Sequence, residues 1–204
     1  MTSDCLLIIF AKAPVAGYAK TRLAARLGPD GAARLAARML EHTLEAARAA
    51  ALGPIELCCA PDTGHPQFAL AHQRHAVHLS DQGEGDLGQR MARASARGLE
   101  RHRSVILIGT DAPGLDAGVL RQAGASLRTH DVVAAPASDG GYVLIGLSVP
   151  APGLFADVAW STDAVMAQTR ARADTLGLRL LELATLHDVD EPADLVHLPS
   201  GWLP

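Results

Sequence analysis

At 204 residues with a formal net charge of −4, the chain is long enough to bury roughly 70% of its unfolded surface and too acidic to hold nucleic acid by bulk electrostatics. Apolar residues make up 49% of it and aromatics only 3%, which favours an aliphatic α/β core over an aromatic-rich β sandwich. Cys5, Cys58 and Cys59 are odd in number, two of them adjacent, so no disulfide framework is expected, and no apolar run approaches the ~18 residues of a membrane span.

No signal peptide is evident, and buried reduced thiols in a cytoplasmic protein are expected. The apolar run Cys5–Phe10 predicts a strand buried on both faces. It breaks into the loop Ala11–Lys20, which with Thr21 and Arg22 collects four groups able to meet an anion: Lys12, Lys20, Thr21 and Arg22. From about Asp30 to Ala51 the charges at Arg34, Arg38, Glu41, Glu45 and Arg48 recur at helical spacing, with Leu35, Met39, Leu40 and Leu44 between them. Gly53-Pro54 stops that helix, and Ile55–Ala60 reads as the second strand. A short helix around Gln67–Arg74 and a minor strand at Ala76–Leu79 follow. His65, His72, His75 and His78 lack tight ligand spacing and are expected on a solvated surface rather than around a metal.

Glycines punctuate the next stretch, after which a helix is expected over Leu87–His102 and a buried strand over Ser104–Ile108, ending at Gly109-Thr110-Asp111. Ala117–Arg128 reads as a helix, and Asp131–Ala135 and Tyr142–Leu147 as strands joined through "PASDGG", whose plain role is a tight hairpin. Ser161 or Thr162 could cap a helix running to Leu176, with Gly177 its stop. Leu178–Leu183 is the last expected strand. In "DVDEPADL" Asp190 could cap a short helix with Pro192 near its start.

Strands alternating with helices imply a mainly parallel sheet covered on both faces, and the absence of linkers or repeats implies one domain over residues 1–204. Ligands of such sheets sit at the carboxyl ends of the strands. There the first strand delivers Lys12 and Lys20, "SVILI" delivers Asp111, "DVVAA" delivers Ser138-Asp139-Gly140-Gly141, and the last strand leads to Asp188 and Asp190. Cations and backbone N–H groups suit phosphates, and carboxylates suit Mg²⁺ or Mn²⁺. The first loop is neither a Walker P-loop nor a G-x-G-x-x-G turn. Lys20-Thr21-Arg22 entering a helical segment can still set N–H dipoles and two positive side chains on an anion. Asp111 carries the strongest single signal, with a turn or cap as its plain alternative.

Six motifs in order, "FAKAPVAGYAKTRLA", "DLGQRMARA", "LIGTDAPGL", "DVVAAPASDGGYVLIGL", "WSTDAVMAQT" and "LHDVDEPADL", together resemble a bacterial glycosyltransferase-like family related to 2-phospholactate guanylyltransferase. That family lies within the GT-A nucleotide-diphospho-sugar transferase superfamily, and the resemblance spans about residues 6–196. It implies a three-layer α/β/α Rossmann-like sandwich and a metal-dependent transferase. The expected ligands are a nucleoside triphosphate or nucleotide sugar, Mg²⁺ or Mn²⁺, and a small-molecule acceptor. A non-catalytic nucleotide-binding or regulatory module on the same fold is the alternative.

By the same resemblance, Ala11, Lys12, Gly17, Lys20 and Arg22 would hold phosphates, with Gly88, Gln89 and Arg90 near the nucleotide. Asp111 and Asp190 would be the metal ligands, and Lys20, Arg22 and Asp111 the catalytic set. Asp139, Gly140, Gly141, Trp160 and Ser161 would face the acceptor. Gly109-Thr110-Asp111 supplies one carboxylate where GT-A glycosyltransferases carry a DXD, which favours nucleotidyl transfer. The first loop also lacks the L-x-G-G-x-G-x-R form of nucleotidyltransferases, so both transfers stay open. Ala112 stands where the family commonly has Cys, which disfavours a thiol mechanism, and Val143 where a second Tyr is expected.

Overall fold

The computed structural model describes residues 4–203. Its seven-stranded sheet has the order β3-β2-β1-β4-β6-β5-β7. The strands are β1 (Cys5–Lys12), β2 (Ile55–Ala60), β3 (His78–Asp81), β4 (Ser104–Ile108), β5 (Val132–Pro136), β6 (Tyr142–Leu147) and β7 (Leu180–Glu182). Among the described strands β6 alone runs against its neighbours, pairing antiparallel with β4 and with β5. The last of these pairings is the hairpin expected around "PASDGG", closed by the Ala137 N–H donating to the Gly141 carbonyl at 3.0 Å.

The two-residue period of a strand sorts alternate side chains onto opposite faces. Leu7 and Ile9 of β1 join Leu57, Ile106, Val133 and Leu144 on one face. Helices α1 (Ala24–Ala50), α2 (Pro66–His75) and α4 (Ala117–Ser126) cover that face through residues such as Leu40, Leu44, Phe68 and Leu120. Leu6 and Ile8 join Val105, Leu107, Ile145 and Leu147 on the other, beneath α3 (Leu87–Leu99), α5 (Val165–Thr175) and the 3-10 turn Pro152–Phe155. The result is the expected three-layer α/β/α sandwich. Each fully buried aliphatic side chain contributes about 1.5–3 kcal/mol. All three cysteines are free and buried, as expected, and burial pushes the Cys59 thiol up to about 12.

The chain steps from β1 outward to β3 and then returns across β1 to β4. The order therefore reverses between β1 and β4, where an open α/β sheet leaves a crevice. Into that crevice run the loop after β1 and the Gly109–Asp111 turn after β4.

Several local expectations change. The first helix begins at Ala24 rather than Asp30, after a 3-10 turn at Thr21–Leu23. It bends at Gly28, whose φ of 71° and ψ of 162° suit glycine alone. Neither Ser161 nor Thr162 caps α5, which starts at Val165 without a side-chain cap; Ser161 has a φ of 64° and Thr162 Oγ1 donates to Ala159 O at 2.7 Å. The 3-10 turn Pro192–His197 has Glu191 at its N-cap position, and the Asp194 carboxylate reaches back to accept from the N–H groups of Asp190 and Glu191. Asp190 is thereby released from the capping role considered for it. The histidines are not uniformly solvated either: the His75 side chain is 7% exposed, with Nε2 2.9 Å from Glu41 Oε1, while His65 caps α2.

Candidate active site

Lys20 is the centre of the crevice. It sits in the left-handed region (φ 50°, ψ 42°), a conformation that costs a non-glycine residue about 1–2 kcal/mol and turns its side chain inward, where 6% of it remains exposed. The ammonium donates to the Val189 carbonyl at 2.7 Å and to Asp190 Oδ1 at 2.8 Å, and it pairs with Asp111 Oδ1. Three acceptors match its three donors. Burial alone would push the Lys20 pKa down, but Asp111 and Asp190 outweigh it and hold the group above the ordinary lysine value.

The two carboxylates reach this point from distant parts of the chain. Asp111 follows β4 directly, and the Val189 N–H donates to its backbone carbonyl at 2.8 Å. That bond seats the "DVD" segment against the turn. The Val189 side chain, fully buried, is anchored in a third cluster with Leu23, Ala32, Leu35 and Met39.

Two clefts, of about 500 and 430 Å³, meet at Lys20, Asp111 and Asp190 and share Lys12 as well. The larger runs toward Arg22, Asp139, Trp160, Thr162 and Asp188. The smaller runs toward Gln82, Arg90 and Met91 at the mouth of α3. Lys12 and Arg22 are exposed; among the described residues Lys12 has no ion-pair partner, and Arg22 has only a loose 3.5 Å contact with Glu191. Burial together with the charges of Asp139, Asp190 and Asp194 pushes the Asp188 carboxyl up, so the larger cleft has one wall rich in carboxylates.

Lys12, Lys20, Arg22, Arg90, Asp111, Asp139, Gly141, Trp160, Ser161 and Asp190 all line one or both clefts. The other expected residues stand behind them. Ala11 is buried, and its carbonyl accepts from Gln82 Nε2 at 3.3 Å. Gly17 (φ 77°) turns the exposed loop. Gly88 packs under Trp160, and Gly140 lets the chain pass Asp163 closely. Gln89 is spent on the α3 capping box with Asp86. The clefts add Gln82 to the wall and place there Asp188, expected near the end of the last strand, with Tyr18 and Tyr142 beside them. Nothing marked Gln82 in the sequence: the strand expected there ended at Leu79, whereas β3 runs on to Asp81 and leaves Gln82 one residue past its end.

The donor set fits a divalent cation. Asp111 and Asp190 already converge on one cationic atom, and carboxylate oxygens are the ligands Mg²⁺ and Mn²⁺ prefer. Among the described residues no three His, Cys, Asp or Glu side chains group as a metal cage. A two-carboxylate seat is what Mg²⁺ commonly uses when substrate phosphates complete its shell.

The bacterial family described as "uncharacterized protein conserved in bacteria (DUF2064)" matches residues 43–162, more than half of the 204. The chain belongs to the DUF2064 family. This DUF2064 member is also 33% identical over 191 residues to the phosphoenolpyruvate guanylyltransferase of Sphaerobacter thermophilus, across 91% of its own length and 88% of that protein's. A solved structure from Desulfovibrio desulfuricans G20, assigned to the nucleotide-diphospho-sugar transferases, superposes with a TM-score of 0.87 at 30% identity, covering 95% of this chain and 85% of that one. Rv0371c of Mycobacterium tuberculosis H37Rv, solved with manganese, shares the fold with a TM-score of 0.56 at 19% identity, covering 97% and 98%. The superfamily and the transferase class implied by the six motifs therefore stand for this DUF2064 chain.

Proposed function

We propose that the chain is a metal-dependent nucleotidyltransferase. It moves a nucleoside monophosphate from a nucleoside triphosphate onto a phosphate or carboxylate oxygen of a small acceptor. One observation carries the reading: two clefts of substrate size meet at a junction of two carboxylates and a lysine, with Lys12 and Arg22 close by. A transfer between two small molecules needs two binding spaces and charge control where they touch. The relative from Sphaerobacter thermophilus, named for guanylyl transfer to phosphoenolpyruvate, favours nucleotidyl over glycosyl transfer and makes GTP the first donor to test.

In this reading the smaller cleft takes the nucleoside and the larger the acceptor. Lys12, Lys20 and Arg22 hold phosphate oxygens and stabilise charge as the acceptor oxygen attacks the α-phosphorus. The new P–O bond forms while the bond from the α-phosphorus to the bridging oxygen breaks, and pyrophosphate leaves with both electrons. Asp111 and Asp190 hold the divalent ion, which when bound neutralises phosphate charge. Tyr142, set edge-on against Trp160 with centroids 6.4 Å apart, helps keep water from the junction.

The test is a thermal-shift panel of nucleoside triphosphates and nucleotide sugars, with and without Mg²⁺ or Mn²⁺, followed by an assay for pyrophosphate release. A ligand at 100 times its dissociation constant adds about 2.7 kcal/mol, a shift of several degrees for a chain of this size. A metal-dependent shift with one triphosphate is expected. The Asp111→Asn variant should keep its fold and lose turnover by a factor on the order of 10²–10⁴. Release of a nucleoside diphosphate from a nucleotide sugar would assign glycosyl transfer instead, and no shift with any nucleotide would overturn both.

A further inference from the structure

Phosphate binding needs a cation with free donors, and Lys20 has none free. Its three ammonium hydrogens are taken by the Val189 carbonyl, Asp190 and Asp111. The same two carboxylates are the seat proposed above for the divalent ion, so a lysine and a metal compete for one pair of negative charges. Lys12 and Arg22, by contrast, lie exposed at the same mouth and are available to a phosphate from the start.

We propose that Lys20 is a resident counter-ion that closes the metal seat until a nucleotide arrives. The inference rests on the nucleotidyl-transfer reading above. In the free protein the Lys20 ammonium balances Asp111 and Asp190, holds them together across 79 residues of sequence, and keeps a divalent ion from binding alone. Phosphates drawn in by Lys12 and Arg22 then offer the ammonium new acceptors. As Lys20 turns to them, both carboxylates are released at the moment phosphate oxygens arrive to complete a coordination shell. Metal and nucleotide are thus coupled positively through one side chain. Reciprocity requires each to raise the affinity of the other by the same factor. The constrained left-handed backbone of Lys20 (φ 50°, ψ 42°) belongs to this role, since it aims the side chain at the carboxylates rather than at the open cleft.

The experiment measures Mn²⁺ binding by electron paramagnetic resonance, with and without α,β-methylene-GTP, on wild type, Lys20→Met and Lys20→Arg. Wild type should bind Mn²⁺ weakly alone and at least about tenfold more tightly with the analogue, within the usual range of coupling between sites. Lys20→Met, about as long but uncharged, should bind Mn²⁺ alone at least about tenfold more tightly than wild type alone, and should lose most of the enhancement by nucleotide. Lys20→Arg, which keeps the charge, should stay near wild type without nucleotide.

Lys20→Met binding Mn²⁺ no more tightly than wild type overturns the inference. If Lys20→Met binds more tightly while wild type gains nothing from the analogue, the closed seat is supported and the choice of GTP as donor fails instead. Should Lys20→Met not fold, the ¹⁵N signals of the wild-type Lys20 ammonium decide. Three acceptors protect its hydrogens from exchange, and adding Mg²⁺ with the analogue must shift or erase those signals. Unchanged signals under saturating nucleotide overturn the inference.

Discussion

A methyl group at position 88 would stand 2.5 Å from the Phe155 carbonyl oxygen and 2.6 Å from the Trp160 indole nitrogen, distances no real Cβ tolerates. Gly88 therefore matters to the site through the aromatic pair it seats, although its own backbone does not line a cleft. Gly88→Ala should cost about 1–3 kcal/mol through forced repacking, which lowers the melting temperature by roughly 2–10 °C for a chain of this length. It should also displace Trp160, one of two tryptophans, and so change the indole fluorescence and weaken ligands of the larger cleft. A variant with wild-type stability and fluorescence would show that Trp160 is not seated on Gly88. Asp111 was legible in the sequence because a charged residue just past a buried apolar run has little packing reason to be there. Lys20 and Asp190, each eight residues beyond the preceding strand, stood out instead through the cation-rich first loop and the motif resemblance. Gln82 was not legible: a glutamine in a glycine-rich loop carries no distinguishing pattern, and only the folded cleft wall separates it from the rest.

At the scale of elements, β7 is the weakest member of the sheet, three residues long and paired only with β5 among the described strands. Its hold depends on side chains at its ends. Asp131, one residue before β5, accepts from Arg179 Nε, Arg179 Nη2 and the Arg179 N–H, each at 2.9 Å. The Arg179 hydrogen bonds hold the Asp131 carboxyl at about 2, below its ordinary 3.8. A depressed carboxylate stabilises the fold fully above its unfolded pKa and loses that contribution as pH falls through the folded one. The Asp131→Asn variant should accordingly be less stable than wild type at pH 6, with the gap narrowing between about pH 4 and pH 2. Urea midpoints measured across that range check it, and a gap independent of pH would refute the assignment. The strands themselves were readable as apolar runs bounded by Gly, Pro and Asp, and the helices by their charge spacing. The reversal of β6 was readable in the hairpin turn before it; the strand order and the buried position of His75 were not, because each is decided by which distant segment lies alongside. The early start of α1 was hidden by Gly28-Pro29, which reads as a helix boundary but here only bends one.

Across the whole molecule, a chain of net charge −4 gathers cations at one edge of its sheet, so attraction for a nucleotide must be local and has to survive an unfavourable overall field. What keeps that edge in order is a covering far from it in sequence. Val189 donates its N–H to the Asp111 carbonyl and accepts from Lys20, while its side chain lies among Leu23, Leu35 and Met39, with Trp202 packed on the same cluster. Arg38 lies 5.1 Å from the Trp202 ring and also donates to the Gly201 carbonyl, so the closing segment is clamped to α1. The small third cluster thus fixes the position of Asp190 relative to Lys20. Val189→Ala should remove about 1–3 kcal/mol by leaving a cavity and should also weaken metal–nucleotide binding by loosening Asp190. Val133→Ala, equally buried at 0% exposure in the body of β5, should lose similar stability and leave binding unchanged. Melting temperatures with and without Mg²⁺ and GTP separate the two effects. If both variants keep the full ligand-induced shift, the cluster stabilises the fold without positioning the site. If only Val189→Ala loses it, the packing of this segment sets the geometry of the carboxylates.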